Sequence, residues 1–139
     1  MLLPDWWRAK YSPYAQGQSL ILDRLKIPDL THIYKVKVAW TDMGLVHTIS
    51  VHYFRFCQDA AIDATNAGFF SRIKGDFLEY KVKKMDISYL GETVANDVLS
   101  VYVWENQVHP WMIHFAIMKS DDTLVLENTF TLFEPDVEL

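Results

Sequence analysis

Apolar and polar residues alternate from Tyr34 onwards: Val36, Val38 and Trp40 fall on one side, Lys35 and Lys37 on the other. Period two marks a half-buried strand. After a break at Asp42–Gly44 the spacing changes. Tyr53, Cys57, Ala60, Ala61 and Ala64 recur three or four apart, and Gly68 stands where a helix needs a left-handed stop. Phe54 and Phe56 widen the apolar face, so the helix predicted over 46–67 should be buried on most sides. Beyond Gly75 the pattern reads as strands: one long run from Phe77 to Tyr89, then 98–105, 111–119 and 124–133. The segments GETVAN, NQVHP and SDDT separate them, rich in the residues that favour turns. A lone apolar helix needs a sheet to wrap it. The expected class is therefore α+β, with a five-stranded antiparallel sheet around one central helix.

Residues 1–31 follow neither period. Trp6, Trp7, Tyr11 and Tyr14 are set among Pro4, Pro13 and Gly17, and a short helix is expected within 19–27, closed by Pro28. The segment reads as an N-terminal aromatic arm, either packed on the domain formed by 32–139 or acting as a lid over a ligand site.

Composition narrows the functional classes. A chain of 139 residues has the size of one domain. A net charge of −5 argues against a nucleic-acid partner, because phosphate binding needs a concentrated basic face. Cys57 is the only cysteine, so no internal disulfide and no thiolate cluster for zinc can form, and no metal site is expected. No apolar run reaches the roughly 18–20 residues of a membrane span, and Pro4 and Asp5 interrupt the start MLLPDWWRAK. A cytoplasmic protein is the expectation.

The segment VAWTDMGLVHTISVHYFRFCQDAAID (38–63) resembles the hotdog-fold acyl-CoA thioesterases, of the 4-hydroxybenzoyl-CoA thioesterase-like type. It matches their first strand, an aspartate-bearing loop with Asp42, and a central helix with Tyr53 and the Asp59-Ala60 pair. VKKMDISYLGETVANDVLSVYVWE (82–105) is similar to their long second strand, tight turn and third strand, with Asn96-Asp97 where the family usually has Gly-Asp. The resemblance covers about Ile33 to Phe133. It implies a thioesterase acting on an acyl-CoA or acyl-carrier thioester, with coenzyme A as part of the substrate and no separate cofactor. It also implies a homodimer or homotetramer, since sites of this family usually form between subunits. The chain departs from the pattern in two places. Gly44-Leu45-Val46-His47 replaces a Gly-His-x-Asn type sequence, and Asp42 lies one residue further from Tyr53 than the family's catalytic aspartate.

Thioester hydrolysis needs a polarised carbonyl, an activated water or nucleophile, and room for the acyl chain. The helix start, about Val46 to Ser50, offers unsatisfied N–H groups and a favourable dipole for an oxyanion. A carboxylate beside it can act as base or nucleophile. Asp42 is the first candidate, Asp59 the second, and His47 a third. Gly44, Val46, His52, Tyr53 and Phe56 are the expected substrate contacts. Other catalytic patterns, such as a nucleophile elbow or a glycine-rich phosphate loop, are missing. Cys57 lies mid-helix among apolar neighbours and reads as core. Arg72, Lys74, Lys81, Lys83 and Lys84 form either a solvated face or a patch for the phosphates of coenzyme A. The alternative to an enzyme is a non-catalytic hotdog protein that binds an acyl or aromatic small molecule. A dehydratase or isomerase of the same fold would need His47 paired with an acid.

Overall fold

The computed structural model describes residues 25–44 and 50–135. Its elements in chain order are β1 (His32–Lys37), a 3-10 turn at Trp40–Asp42, α1 (Ser50–Asn66), a second 3-10 turn at Phe77–Glu79, β2 (Val82–Tyr89), β3 (Val98–Glu105), β4 (Met112–Lys119) and β5 (Leu124–Leu132). The strands form one antiparallel sheet in the order β1-β3-β4-β5-β2. The α+β architecture read from the sequence is thus the one observed. Helix α1 packs on the sheet over β1 and β3.

Register decides which residues meet the helix. Val101 opposes Ile117, which opposes Leu126, while Val103 opposes Phe115 and Ile113 opposes Phe130. These side chains and the helical Phe56, Cys57, Ala60, Ala61 and Ala64 make one buried cluster. Small residues on α1 let it lie close to the large ones of the strands. Phe115 and Phe130 fill the centre, their rings 4.6 Å apart and tilted by 55°. On the opposite face of the sheet Trp104 is buried against His114, with ring centroids 5.7 Å apart.

The helix ends where the glycine stands. Gly68 adopts φ +71, its N–H donates to the Thr65 carbonyl, and the Phe69 N–H donates to that of Ala64. That pair of bonds is the Schellman ending, which satisfies two carbonyls the last turn would leave bare. Asn96 takes φ +75 in the turn before β3, a conformation that asparagine tolerates better than most residues. Asp97 completes the turn, its carboxylate accepting the Val94 N–H at 2.9 Å. The backbones of Asn96 and Asp97 both bond Val38, prolonging the β1–β3 ladder.

Three expectations need correction. Trp40 does not continue the strand: β1 stops at Lys37, the chain turns, and Trp40 is 74% exposed. The reason is Asp42, whose side chain and N–H both bond Ala39 and curl the backbone before Trp40 could pair. The run from Phe77 to Tyr89 is also not one strand. Asp76 caps a 3-10 turn over Phe77–Glu79, burying Phe77, and pairing begins only at Val82. Residues 25–27, the end of the helix expected in 19–27, are irregular, whereas the rest of that segment and Trp6, Trp7, Tyr11 and Tyr14 lie outside the described residues.

His114 is a buried titratable group whose state the hydrogen bonds define. The Asn106 carbonyl oxygen accepts the N–H groups of Val108 and His109, which fixes its amide the right way round. The amide nitrogen therefore donates to His114 Nε2 at 2.9 Å, and Nδ1–H is left to donate to the Thr129 hydroxyl at 2.8 Å. Both nitrogens are engaged by the neutral ring, and burial pushes the pKa down. The sign of the linkage follows. Below the ordinary histidine range near pH 6.5 the unfolded chain takes up a proton that the folded one refuses, so His114 subtracts stability as pH falls. The melting temperature of the wild type is expected to drop more steeply between pH 7.5 and 5.5 than that of His114→Gln, measured by thermal denaturation. Parallel curves would show that His114 does not titrate differently in the two states.

Candidate functional site

Asp42 ends the 3-10 turn that follows β1, and 3% of it is exposed. A buried carboxylate must be matched, and two hydrogen bonds and a close histidine match this one. Oδ2 accepts the Ala39 N–H at 2.9 Å. Oδ1 accepts from Arg55 Nη2 at 2.5 Å and lies 3.1 Å from His52 Nδ1. His52 and Arg55 both belong to the first two turns of α1, so the carboxylate is pinned between turn and helix.

The cluster continues along the helix. Arg55 Nη1 lies 3.6 Å from Asp59 Oδ2, one turn on. Asp63, a further turn along, meets His32 of β1 with Nε2 2.7 Å from Oδ2. Residues 52, 55, 59 and 63 thus form a polar stripe along one side of the helix. Tyr34 of β1 shares this environment: burial first, then the nearby Asp59 and Asp63 carboxylates, raise its phenol pKa, with Arg55 pulling the other way.

The other expected residues are placed as follows. Tyr53 is buried, its hydroxyl 2.8 Å from that of Thr93, and its ring faces Tyr89 at 5.9 Å and Phe56 at 6.1 Å. Phe56 is fully buried within the core cluster, where it packs as structure and offers no wall to an open pocket. Gly44 is exposed beside the turn. Val46 and His47, with the backbone donors expected from Val46 to the helix start, lie outside the described residues. Arg55 therefore links Asp42 to Asp59, and His52 meets Asp42 directly, while Tyr53 and Phe56 are buried in the protein.

Arg55 was not among the residues read as functional. The signal was available: His52, Arg55 and Asp59 follow one another at three and four residues, the spacing of one helix face. Cys57 is buried, and burial pushes its thiol up to about 12, so no thiolate forms at neutral pH. Arg72, Lys74, Lys81, Lys83 and Lys84 are all exposed. Lys74 donates to the Phe70 carbonyl and Lys84 sits 3.5 Å from Asp86, whereas Lys83 lies over the Phe133 ring. Near it Tyr80, Lys81 and Phe133 line a hollow of about 570 Å³.

No protein-family model matches the sequence, and no curated protein matches it either. Solved structures do resemble it in shape. A hypothetical protein from Staphylococcus aureus in complex with CoA aligns with a TM-score of 0.61 at 18% identity, covering 75% of each chain. A DHNA-CoA thioesterase from Staphylococcus aureus aligns with a TM-score of 0.64 at 11% identity, covering 74% of this chain and 72% of that one. A hypothetical thioesterase from Streptococcus pneumoniae with coenzyme A gives 0.61 at 16% identity, covering 78% and 83%. At these identities the likeness is one of fold. The five-stranded sheet wrapped on a central helix is the hotdog fold.

Proposed function

We propose that this protein hydrolyses an acyl-CoA or acyl-carrier thioester to the free acid and thiol. The observation that carries the reading is the buried Asp42 carboxylate, held by His52 and Arg55 against the first turns of the central helix. Structures of similar fold include thioesterases and CoA complexes, which supports the substrate class. In this reading the helix start supplies N–H donors and a positive dipole end for the carbonyl oxygen. The polar cluster on its first turns supplies the proton transfer, with Asp42 at its centre and Asp59 beside it; His47 is a further candidate by sequence alone. The protein acts as a homodimer or a tetramer made of two dimers. Edge strand β2 carries Met85 exposed, and its outer side has no partner strand among the described residues, which leaves it open to a second copy. Light scattering is expected to give at least twice the 16.2 kDa chain mass. No helix among the described residues is long and apolar enough to cross a membrane.

One observation favours a second reading, a non-catalytic binder of an acyl or aromatic small molecule: both Asp42 oxygens are already engaged. A screen of acyl-CoA substrates with free-thiol detection separates the two. Turnover on any of them supports the hydrolase; binding without thiol release supports the binder.

A further inference from the structure

Resting on the hydrolase reading, we infer that His52 is the general base, with Asp42 as its positioning residue rather than the attacking group. Asp42 is poorly placed to attack anything. It is buried, its oxygens accept from the Ala39 N–H and Arg55, and His52 Nδ1 lies 3.1 Å from Oδ1, so the carboxylate is taken up by the protein itself. His52 is different: 26% of its side chain is exposed, and only Nδ1 faces the carboxylate. A neutral imidazole that donates Nδ1–H to Asp42 keeps its lone pair on Nε2, at the far side of the ring. The carboxylate fixes that tautomer, holds the ring, and stabilises the imidazolium formed when Nε2 takes a proton, the division of labour of an acid–histidine pair. Arg55, bound to the same oxygen, and Asp59 behind it are the other charged groups of the cluster.

The step balances without any further reagent. Nε2 takes one proton from water as the water oxygen bonds to the thioester carbonyl carbon, giving a tetrahedral oxyanion. Collapse restores the carbonyl and breaks the C–S bond. The imidazolium returns its proton to the leaving thiolate, and acid and thiol depart. His52 regains its starting state.

Two substitutions test the assignment on the full chain. His52→Asn keeps an N–H donor for Asp42 but has no equivalent of Nε2. Its kcat is expected to fall by about two to four orders of magnitude, with a melting temperature close to wild type and no acidic limb in the pH–rate profile. Asp42→Asn is expected to lower kcat by about two or more orders of magnitude with KM near wild type; a merely structural Asp42 would lower the melting temperature and leave the kcat of the folded protein unchanged. A His52→Asn protein within threefold of wild-type kcat, with the limb unchanged, overturns the role of His52 while leaving thioester hydrolysis standing. A wild type that releases no thiol from any acyl-CoA overturns the hydrolase reading and this inference with it.

Discussion

Asp42→Asn is expected to lower acyl-CoA hydrolysis by about two or more orders of magnitude. The substitution keeps the shape of the side chain and removes its charge. Asparagine still offers one oxygen to the Ala39 N–H, so the turn survives. Its amide nitrogen then takes the place of the other oxygen and can neither neutralise Arg55 nor stabilise a charged His52, both of which converge on that oxygen of the native carboxylate. Stability should fall as well, by about 1–3 kcal/mol, the range for hydrogen bonds to a charged group. The lower part of that range is favoured because Arg55 is half in solvent and can rehydrate. Thiol release measured well below the melting temperature separates the two effects, with Asp59→Asn as the matched control. An Asp42→Asn protein with undiminished hydrolysis would remove Asp42 from the machinery and leave His52, Asp59 or His47 to act without it.

Phe115→Ala should produce the largest loss of stability of any change considered, about 3–5 kcal/mol. Its ring is fully buried on the middle strand of the sheet and meets Phe130 at 4.6 Å. Truncation leaves a cavity that strands paired on both sides cannot collapse into. Set against a typical domain stability of about 5–15 kcal/mol, the loss is a large share of the total. Trp40→Ala is the contrast: a larger side chain, but one in solvent, and a change within about 0.5 kcal/mol is expected. Urea denaturation of both variants checks the ordering. If Trp40→Ala proved the more damaging, the exposed tryptophan would have to be packed against something else, such as a second copy.

What could be read from the sequence depended on how local its cause was. The register of β3, β4 and β5 and the stop at Gly68 follow from nearest neighbours: alternation, turn residues and one glycine with positive φ. Asn96 in place of a glycine was legible for the same reason, since both accept a left-handed backbone. The end of β1 was not, because the Asp42 side chain reaches back to the Ala39 backbone and overrides an alternating pattern. The partners of Asp42 were hidden by distance along the chain. Arg55 lies 13 residues away, and only the folded helix brings it to the carboxylate. A histidine read as a substrate contact became the exposed end of a paired acid and imidazole by the same route.

The order of the sheet also carries a consequence for how the chain reaches its folded state. Strands β3, β4 and β5 are successive hairpins, so they can pair as soon as they exist. Strand β1 cannot: Lys35 bonds Ser100 across a separation of 65 residues, and closing so long a loop is slow. During synthesis β1 and α1 emerge well before the strands that cover them. The apolar face of α1 must wait in water for its sheet, and for that interval the nascent chain offers hydrophobic surface to chaperones or to other copies of itself. The three-strand meander is then the natural nucleus, with the outer strands added last.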